Sequence, residues 1–576
     1  MTNREKAENR ANEIDLQIIE TMNRGDSFRV EAGAGAGKTH SLMRVVEWLE
    51  KEKLKVLQKK GHKIACITYT NRAVDEIKSR LKSDDFIRPC TIHNFAWSCM
   101  SRFQSSLIKI VGELDLLPFN EEGTEKIILA SVKKVSYELG VRYIEDGVLY
   151  LHHNDVIAIF VRLLDNAKFR MILAKDYPVI LIDEYQDTFR SVMDQFLKYF
   201  IEPGNKPQFG LFGDAWQTIY ADNGACGEVN SDKLVVINKG VNFRSEEVIV
   251  AALNKIRPEL PQISSSDEND GRIIVITTDD YRGQRQTRYY KGELPDHILF
   301  PYIDNVREKL ATLGWKDNTK TLMLTHKMLA KQQHYENLLT FLGDHLKEAD
   351  DEHFLFFMNR IEPIFSALVN NSPKDLFEAL GAERRPIRSV AHKKQWKALK
   401  ENLEVARTQK IINVLDAVQA SRLIGLPPKI ENCLNSFKNG EKKIEYCHKP
   451  IEIFYNIDYT EVINAIEFQK PETDYSTDHG VKGEEYNNVI LIMGRGWNNY
   501  KFDELLYQKV ELIGAQDRAA YIRNRNLFYV CCSRPKKRLA IFITVPVKSS
   551  FRSYLNNIFG AENVMNYNQF LNYSYD

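Results

Sequence analysis

The sequence predicts an α/β protein of several domains built on parallel sheets. Three observations carry that prediction. First, an apolar lead-in with Phe28 and Val30 runs into Glu31-Ala32-Gly33-Ala34-Gly35-Ala36-Gly37-Lys38-Thr39-His40, and Ser41 to Leu49 then has helical amphipathicity. A strand, a glycine turn and a helix start form a cradle whose backbone N–H groups and positive helix end face an anion. Second, the apolar run Pro178 to Ile182 ends in Asp183-Glu184-Tyr185-Gln186-Asp187. That places paired carboxylates at the C-terminal edge of a buried strand, where open α/β sheets bind ligands. Third, 576 residues are too many for one core; at roughly 100–200 residues per domain they make three or four.

Composition is ordinary for a globular chain, with 43% hydrophobic and 27% charged residues. A net charge of +1 leaves any nucleic-acid affinity to local patches. None of the eight cysteines sits in a Cys-x-x-Cys pair, which argues against a zinc site and a disulfide framework. The N-terminus is polar and no run reaches transmembrane length, so the expectation is a soluble, cytoplasmic protein without a membrane partner.

Taken in order, residues 5–24 read as a helix carrying Gln17, whose amide can both donate to and accept from an adenine edge. In the cradle, Lys38 is placed to reach the β- and γ-phosphates and the Thr39 hydroxyl to hold Mg²⁺. Lys63 to Thr70 is a second strand, and Asn71 to Leu81 a helix. Thr70 and Asn71 at its start suit either a nucleic-acid backbone or a plain N-cap. Thr91-Ile92-His93-Asn94-Phe95 follows, with His93 open to a structural or a ligand role. Between about 100 and 175 the pattern is helical (Leu107–Leu117, Glu125–Leu139, Asp155–Leu164), without a strong strand.

After the second apolar run, Asp183 would hold Mg²⁺ and Glu184 would polarise an attacking water. The strand Gln208 to Phe212 ends in Gly213-Asp214-Ala215-Trp216-Gln217-Thr218-Ile219-Tyr220, where Gln217 can sense a γ-phosphate. Leu234 to Ile237 runs into Asn242-Phe243-Arg244-Ser245; Arg244 can fork onto phosphate and Phe243 can stack on a base. Strands at Gly271–Thr277 and Thr321–Thr325 open a second α/β unit, interrupted over about 341–470. Within that interval, Arg384 to Lys410 holds nine Lys/Arg against two Glu, with Trp396 among them. That suits either phosphate contact or a solvated helix face. The unit resumes with His479-Gly480-Val481-Lys482-Gly483-Glu484-Glu485-Tyr486 and closes near Leu527-Phe528-Tyr529-Val530-Cys531-Cys532-Ser533-Arg534.

The order of these motifs resembles that of superfamily 1A helicases of the UvrD/Rep/PcrA type. The stretch 32–39 resembles motif I, 67–73 motif Ia, 91–95 motif Ib and 182–187 motif II. Gly213-Asp214 with Gln217 and Ile219-Tyr220 resembles motif III, 242–245 motif IV, 479–486 motif V and 527–534 motif VI. The resemblance implies two RecA-like P-loop NTPase domains with mainly helical inserts. Domain 1A would span 1–100 and 175–232, insert 1B 101–174, domain 2A 233–340 and 471–560, insert 2B 341–470, with a tail at 561–576. ATP would bind between the lobes, with Mg²⁺ on Thr39 and Asp183. By the same resemblance the nucleotide would touch Ala32, Gly33, Ala34, Gly35, Ala36, Gly37, Lys38, Thr39 and His40, with Gln17 and Phe243 at adenine and Glu485 at the ribose. Lys38, Asp183, Glu184, Gln217, Arg244 and Arg534 would be catalytic. Single-stranded DNA would meet Thr70, Asn71, Thr91, His93, Asn94, Phe95, Tyr220 and His479.

One departure stands out. Where the family usually continues after Tyr220 with an aromatic and an Arg, this chain has Ala221-Asp222-Asn223. Asp222 cannot stack on a base, and Trp216 is the candidate replacement. The expected function is an ATP-dependent 3′→5′ helicase or translocase acting on single-stranded or 3′-tailed DNA, in DNA repair or phage defence. The competing expectation is an ATP-gated DNA-binding subunit that switches a partner such as a nuclease, with little unwinding of its own; RNA is a third substrate reading.

Overall fold

The computed structural model describes residues 1–575 apart from 69, 82–85, 119–126, 139–141, 219–223, 325, 349, 382–388, 441–444, 471–472, 478–482, 496–499 and 509–511. Tyr220, His479 and the run 221–223 therefore lie outside the described residues. Apolar, β-branched runs become strands where both of their faces are covered. The first three are β1 (Phe28–Ala32), β2 (Ile64–Thr68) and β3 (Ile87–Thr91). An insert then supplies β4 (Lys134–Tyr137), β5 (Tyr143–Glu145) and β6 (Val148–Leu151), before β7 (Val179–Asp183), β8 (Gln208–Gly213) and β9 (Val235–Lys239).

The first sheet runs β3-β2-β7-β8-β1-β9, with every pairing parallel. Parallel crossovers cover both faces, and β1, β2, β7 and β8 are buried along their whole length. On one face Phe28, Val30, Leu181 and Phe212 pack with Ile14, Ile18, Leu42 and Val46 from the helices Asn3–Arg24 and Lys38–Glu52. On the other face Ile67, Ile182, Phe209 and Leu211 share one core with Leu107, Val135, Leu149 and Phe160 of the insert.

Three expectations are corrected here. The insert carries a three-stranded sheet, β4-β6-β5, and Lys134–Tyr137 is a strand inside the predicted helix 125–139. Pairing with β6 and burial of Val135 outweigh the local helical periodicity. β9 pairs with β1 from Phe28↔Val235 to Ala32↔Lys239, so the first sheet reaches Lys239 rather than closing at 232. Phe95 is fully buried in the helix Ile92–Met100, edge-on to Phe160 at 6.1 Å and Tyr177 at 5.2 Å, so its ring serves the core and cannot touch a DNA strand.

Beyond β9, β10 (Val241–Asn242) pairs in parallel with β11 (Ile263–Ser264), and β12 (Arg272–Thr277) follows. The chain then contributes most of a second compact unit, residues 295–305 and 320–480. It contains β13 (Thr319–Met323), the hairpin β14 (Glu445–Tyr446) and β15 (Lys449–Pro450), and β16 (Tyr475–Thr477), which pairs in parallel with β13. Helices between them enclose Trp396, Leu403, Val414, Tyr455 and Tyr459. Trp396 anchors the helix Val390–Ala406, while Lys393, Lys394 and Lys397 face outward. Arg407 forks onto Glu362 and Lys410 meets Asp458 at 2.8 Å, as befits a solvated face; Arg384, Arg385 and Arg388 lie outside the described residues.

In the first unit the chain resumes with β17 (Tyr486–Met493), β18 (Pro535–Ile543) and β19 (Val564–Asn566). These order as β17-β18-β12-β19, all parallel. The stretch expected as a bare tail therefore closes one sheet edge, and Tyr575 accepts a hydrogen bond from Trp315 Nε1 at 2.7 Å. Substituting Phe95→Ala should leave a cavity beside Phe160 and Tyr177 and cost about 3–5 kcal/mol, read as a lower urea midpoint of the first unit.

Candidate active site

The cradle is made by backbone. Gly35 and Gly37 have φ of +71° and +73°, a region that side chains with a Cβ disfavour. A Cβ on Gly33 would lie 2.5 Å from Gln262 Nε2, and one on Gly35 2.7 Å from Asn242 Oδ1. That close approach is used: Asn242 and Gln262 each donate to the Ala34 carbonyl at 3.0 Å, and Phe243 N–H donates to Gly35 O at 2.9 Å. Ala34 N–H in turn donates to the Tyr529 hydroxyl at 3.1 Å. The helix Lys38–Glu52 starts without a side-chain cap, which leaves its first N–H groups for an anion.

The acids of β7 stand at the mouth of the cradle. Thr39 Oγ1 donates to Asp183 Oδ2 at 3.1 Å, and Lys38 Nζ lies 3.5 Å from Glu184 Oε1. Glu184 has φ of +48°, a conformation that costs about 1–3 kcal/mol in a residue other than glycine. Its carboxylate is held by Gln186 Nε2 at 2.6 Å. Burial, and then the Glu184 charge, push the Asp183 carboxyl up to about 7 against the pull of Lys38. A divalent cation at these oxygens would favour the ionised form, and a hydroxyl with a carboxylate is a donor set that suits Mg²⁺.

Two arginines approach from the other lobe. Arg534 is buried; its Nη2 donates to Gln217 Oε1 at 3.3 Å and its Nε to Val530 O at 3.0 Å. Gln217 Nε2 donates to Asp214 Oδ2 at 2.7 Å. Burial, and then the charge of Arg244, bring Arg534 down to about 9, so it remains a cation at neutral pH. Arg244 donates to Glu485 Oε2 and to Ser533 O, both at 3.1 Å. Partial burial raises the Glu485 carboxyl, but hydrogen bonds from Lys536 and Arg244 outweigh it and hold the group below the usual carboxylate range. Lys38, Thr39, Asp183 and Glu184 thus converge at the cradle mouth. Gln217 and Arg534 form one bonded pair, and Arg244 and Glu485 form another.

The remaining expected residues are placed less centrally. Gln17 and His40 are exposed, and Phe243 is 43% exposed beside the cradle. Thr70 and Thr91 cap their helices by accepting from Ala73 and Asn94 N–H. Asn71 and Asn94 line one open groove with Trp97. His93 packs against His153 at 5.4 Å and Phe189 at 5.5 Å, and burial lowers it to about 4, leaving it neutral. Trp216 packs on the Tyr529 ring at 5.6 Å, with the Arg525 guanidinium 3.8 Å above it.

Sequence reasoning missed the buried ions behind these groups. Arg257, just after the helix Glu247–Ile256, donates to Glu31 Oε1 at 2.8 Å and to Asp214 Oδ1 at 2.5 Å. Glu31 also accepts from the Tyr185 hydroxyl at 2.8 Å and from Ala215 N–H at 2.9 Å. Asp15 accepts from Ser41 and from Lys239 Nζ beneath the start of the Lys38–Glu52 helix. A carboxylate at the end of an apolar strand, as at Glu31, signals a buried charge that needs partners. Nothing in the local sequence says which.

Comparison with known proteins matches residues 15–223 to a family described as AAA domain. Along 94% of its length the chain is 23% identical to a Gabija protein GajB of Bacillus cereus (strain HuB5-5), covering 96% of that protein. It is 22% identical to the ATP-dependent DNA helicase Rep of Buchnera aphidicola subsp. Acyrthosiphon pisum, over 80% of this chain and 85% of that one. It is 26% identical to the mitochondrial ATP-dependent DNA helicase HMI1 of Saccharomyces cerevisiae, over 43% and 41%.

Removing the hydroxyl that receives Ala34 N–H should loosen the cradle by about one buried hydrogen bond, near 1 kcal/mol. Tyr529→Phe is therefore expected to raise the KM for ATP about fivefold at little change in kcat. Steady-state hydrolysis across an ATP titration measures it.

Proposed function

Since the chain belongs to the UvrD/Rep-like superfamily 1 helicases, we propose that it is an ATP-dependent DNA helicase that hydrolyses ATP in the cradle and moves 3′→5′ along single-stranded DNA. The observation that carries this reading is that two pairs of the motif residues face each other: Lys38 lies 3.5 Å from Glu184, and Arg534, bonded to Gln217, feels the Glu184 charge. Open N–H groups of the Lys38–Glu52 helix and the Lys38 ammonium bind the phosphate chain. Thr39 and Asp183 would hold Mg²⁺, which when bound would supply charge neutralisation at the phosphates. As Lys38 turns to phosphate it leaves Glu184, whose freed oxygen orients the attacking water and takes its proton. Arg534 is already a buried cation fixed to Gln217, so it meets the developing γ-phosphate charge with little reorganisation. Arg244 must leave Glu485 to do the same. That exchange gives lobe closure a bond to break and a stronger one to make.

Exposed Phe243 and Gln17 are the candidates for adenine. The open groove with Asn71 and Asn94 is the candidate track for the strand backbone. Of the two settings expected from the sequence, phage defence is the one that relatives named Gabija proteins favour, and a nuclease is the partner we propose for it. The ATP-gated subunit with little unwinding of its own is the less favoured reading, because the Rep and HMI1 relatives are named as ATP-dependent DNA helicases.

Glu184→Gln should lower single-strand-stimulated hydrolysis about 10²–10⁴-fold, and Arg534→Ala about 10³-fold or more. Lys38→Ala should abolish both hydrolysis and unwinding of a 3′-tailed duplex. Wild-type turnover in the Lys38 or Glu184 variant, or unwinding only of 5′-tailed duplex by the native chain, would sink the reading.

A further inference from the structure

A buried charge cluster lies beneath the cradle, and the mechanism above uses none of it. Lys239, Asp15 and Ser41 are exposed by only 1%, 3% and 1%. The Lys239 ammonium donates to Asp15 Oδ1 at 3.3 Å and to Ser41 Oγ, and Ser41 Oγ donates to the same carboxylate oxygen. The three residues come from three elements: the helix Asn3–Arg24, the first turn of the helix Lys38–Glu52, and the end of β9. Burial draws the Lys239 ammonium below its ordinary range, and the Asp15 charge opposes that. A hydrophobic cluster of the same volume commonly stabilises a fold as well as a buried ion pair does. What the ions add is register, because short charge-assisted bonds tolerate little sliding.

That register bears on the nucleotide base. Asp15 lies on the inward stripe of its helix with Ile14 and Ile18, and Gln17, two positions on, is exposed. Lys239 pairs in register with Ala32, the last residue before the glycine turn, and Phe243 follows four positions later. The Phe243 N–H is tied to Gly35 O at 2.9 Å. The two adenine candidates therefore hang from opposite ends of one buried ion pair. The phosphate cradle has ties of its own, through Asn242, Gln262 and Tyr529. We propose that the Lys239–Asp15 pair positions the base subsite: it sets the spacing of Gln17 against Phe243, and so the preference for adenine over guanine. Adenine presents a donor and an acceptor side by side, N6–H and N7, whereas guanine presents two acceptors, O6 and N7. A Gln amide held at fixed height matches the first and sets an acceptor against an acceptor with the second. The inference rests on the reading of Gln17 and Phe243 as adenine contacts and adds the residues that hold them in place.

The test uses the full chain with ATP, GTP and inorganic tripolyphosphate, which carries phosphates without a base. The native chain should prefer ATP over GTP by about tenfold or more in kcat/KM. Lys239→Met leaves Asp15 buried without its cation. The charge-free double variant, Asp15→Asn with Lys239→Met, therefore carries the test where the single one fails to melt cooperatively. In either, KM for ATP should rise about tenfold with kcat within about twofold, and the ATP-over-GTP ratio should fall by the same factor. The Ki of tripolyphosphate against hydrolysis should move less than about twofold. A retained ratio overturns the inference. So does a rise in tripolyphosphate Ki that matches the rise in KM, because that marks a damaged cradle. Gln17→Ala and Phe243→Ala separate the two levels. An unchanged ratio in both, or a native chain indifferent to the base, overturns the adenine reading; a ratio lost in them and kept in the pair variants overturns this inference alone.

Discussion

The buried fork of Arg257 onto Glu31 and Asp214 is the interaction on which the rest of the site depends. Two carboxylates inside a folded chain would each cost several kcal/mol if left alone. Here one guanidinium, five donors in a fixed plane, answers both at 2.8 and 2.5 Å. Burial works against the Arg257 charge, but Asp214, Tyr529 and Glu31 more than restore it. The gain is geometric as much as energetic. Glu31 ends the strand that enters the cradle, and Asp214 opens the segment that carries Gln217. Arg257 comes from the far end of a different helix, so a single planar group sets the spacing of three separate parts of the chain.

Around that fork the chemistry is arranged by contrast of environments. Asp183 is buried and reluctant to ionise, whereas Glu184 is partly exposed and lies within reach of Lys38. One carboxyl is suited to a metal and the other to a proton. Arg534 is buried too, yet stays charged because a guanidinium starts from so high a pKa that burial still leaves it near 9. A lysine in the same place would lose its charge more readily. Two further pairs, Lys38 with Glu184 and Arg244 with Glu485, neutralise one another's charges at the cradle.

Much of this was legible in the chain itself. The glycine spacing of 33, 35 and 37, the acids after β7, and Gln217 are marked by residue type next to an apolar run, whereas Arg534 is marked only by the resemblance of 527–534 to motif VI. Local order is enough for that, because a cradle and a strand edge are built from consecutive residues. The local pattern of the insert is helical, yet it contains β4, β5 and β6, since strand pairing between residues 134 and 151 leaves only a weak period-two trace. Phe95 looked like a strand contact by its motif, but its ring turns inward to Phe160 and Tyr177. The C-terminal residues had no visible module, yet β19 finishes the second sheet by pairing with β12, nearly 290 positions earlier.

The sequence by itself determined the phosphate cradle and the acid pair, and the order of its motifs carries the resemblance to the UvrD/Rep/PcrA-type helicases. It could do so because these features depend on short-range backbone geometry and on side chains at fixed spacing. Only the tertiary structure decided which buried charge answers which. Arg257 reaches Glu31 and Asp214 across 226 and 43 positions, and Lys239 reaches Asp15 across 224. Such pairings are set by where packed elements happen to meet, and electrostatics inside a protein acts on distance in space, with no regard to distance along the chain.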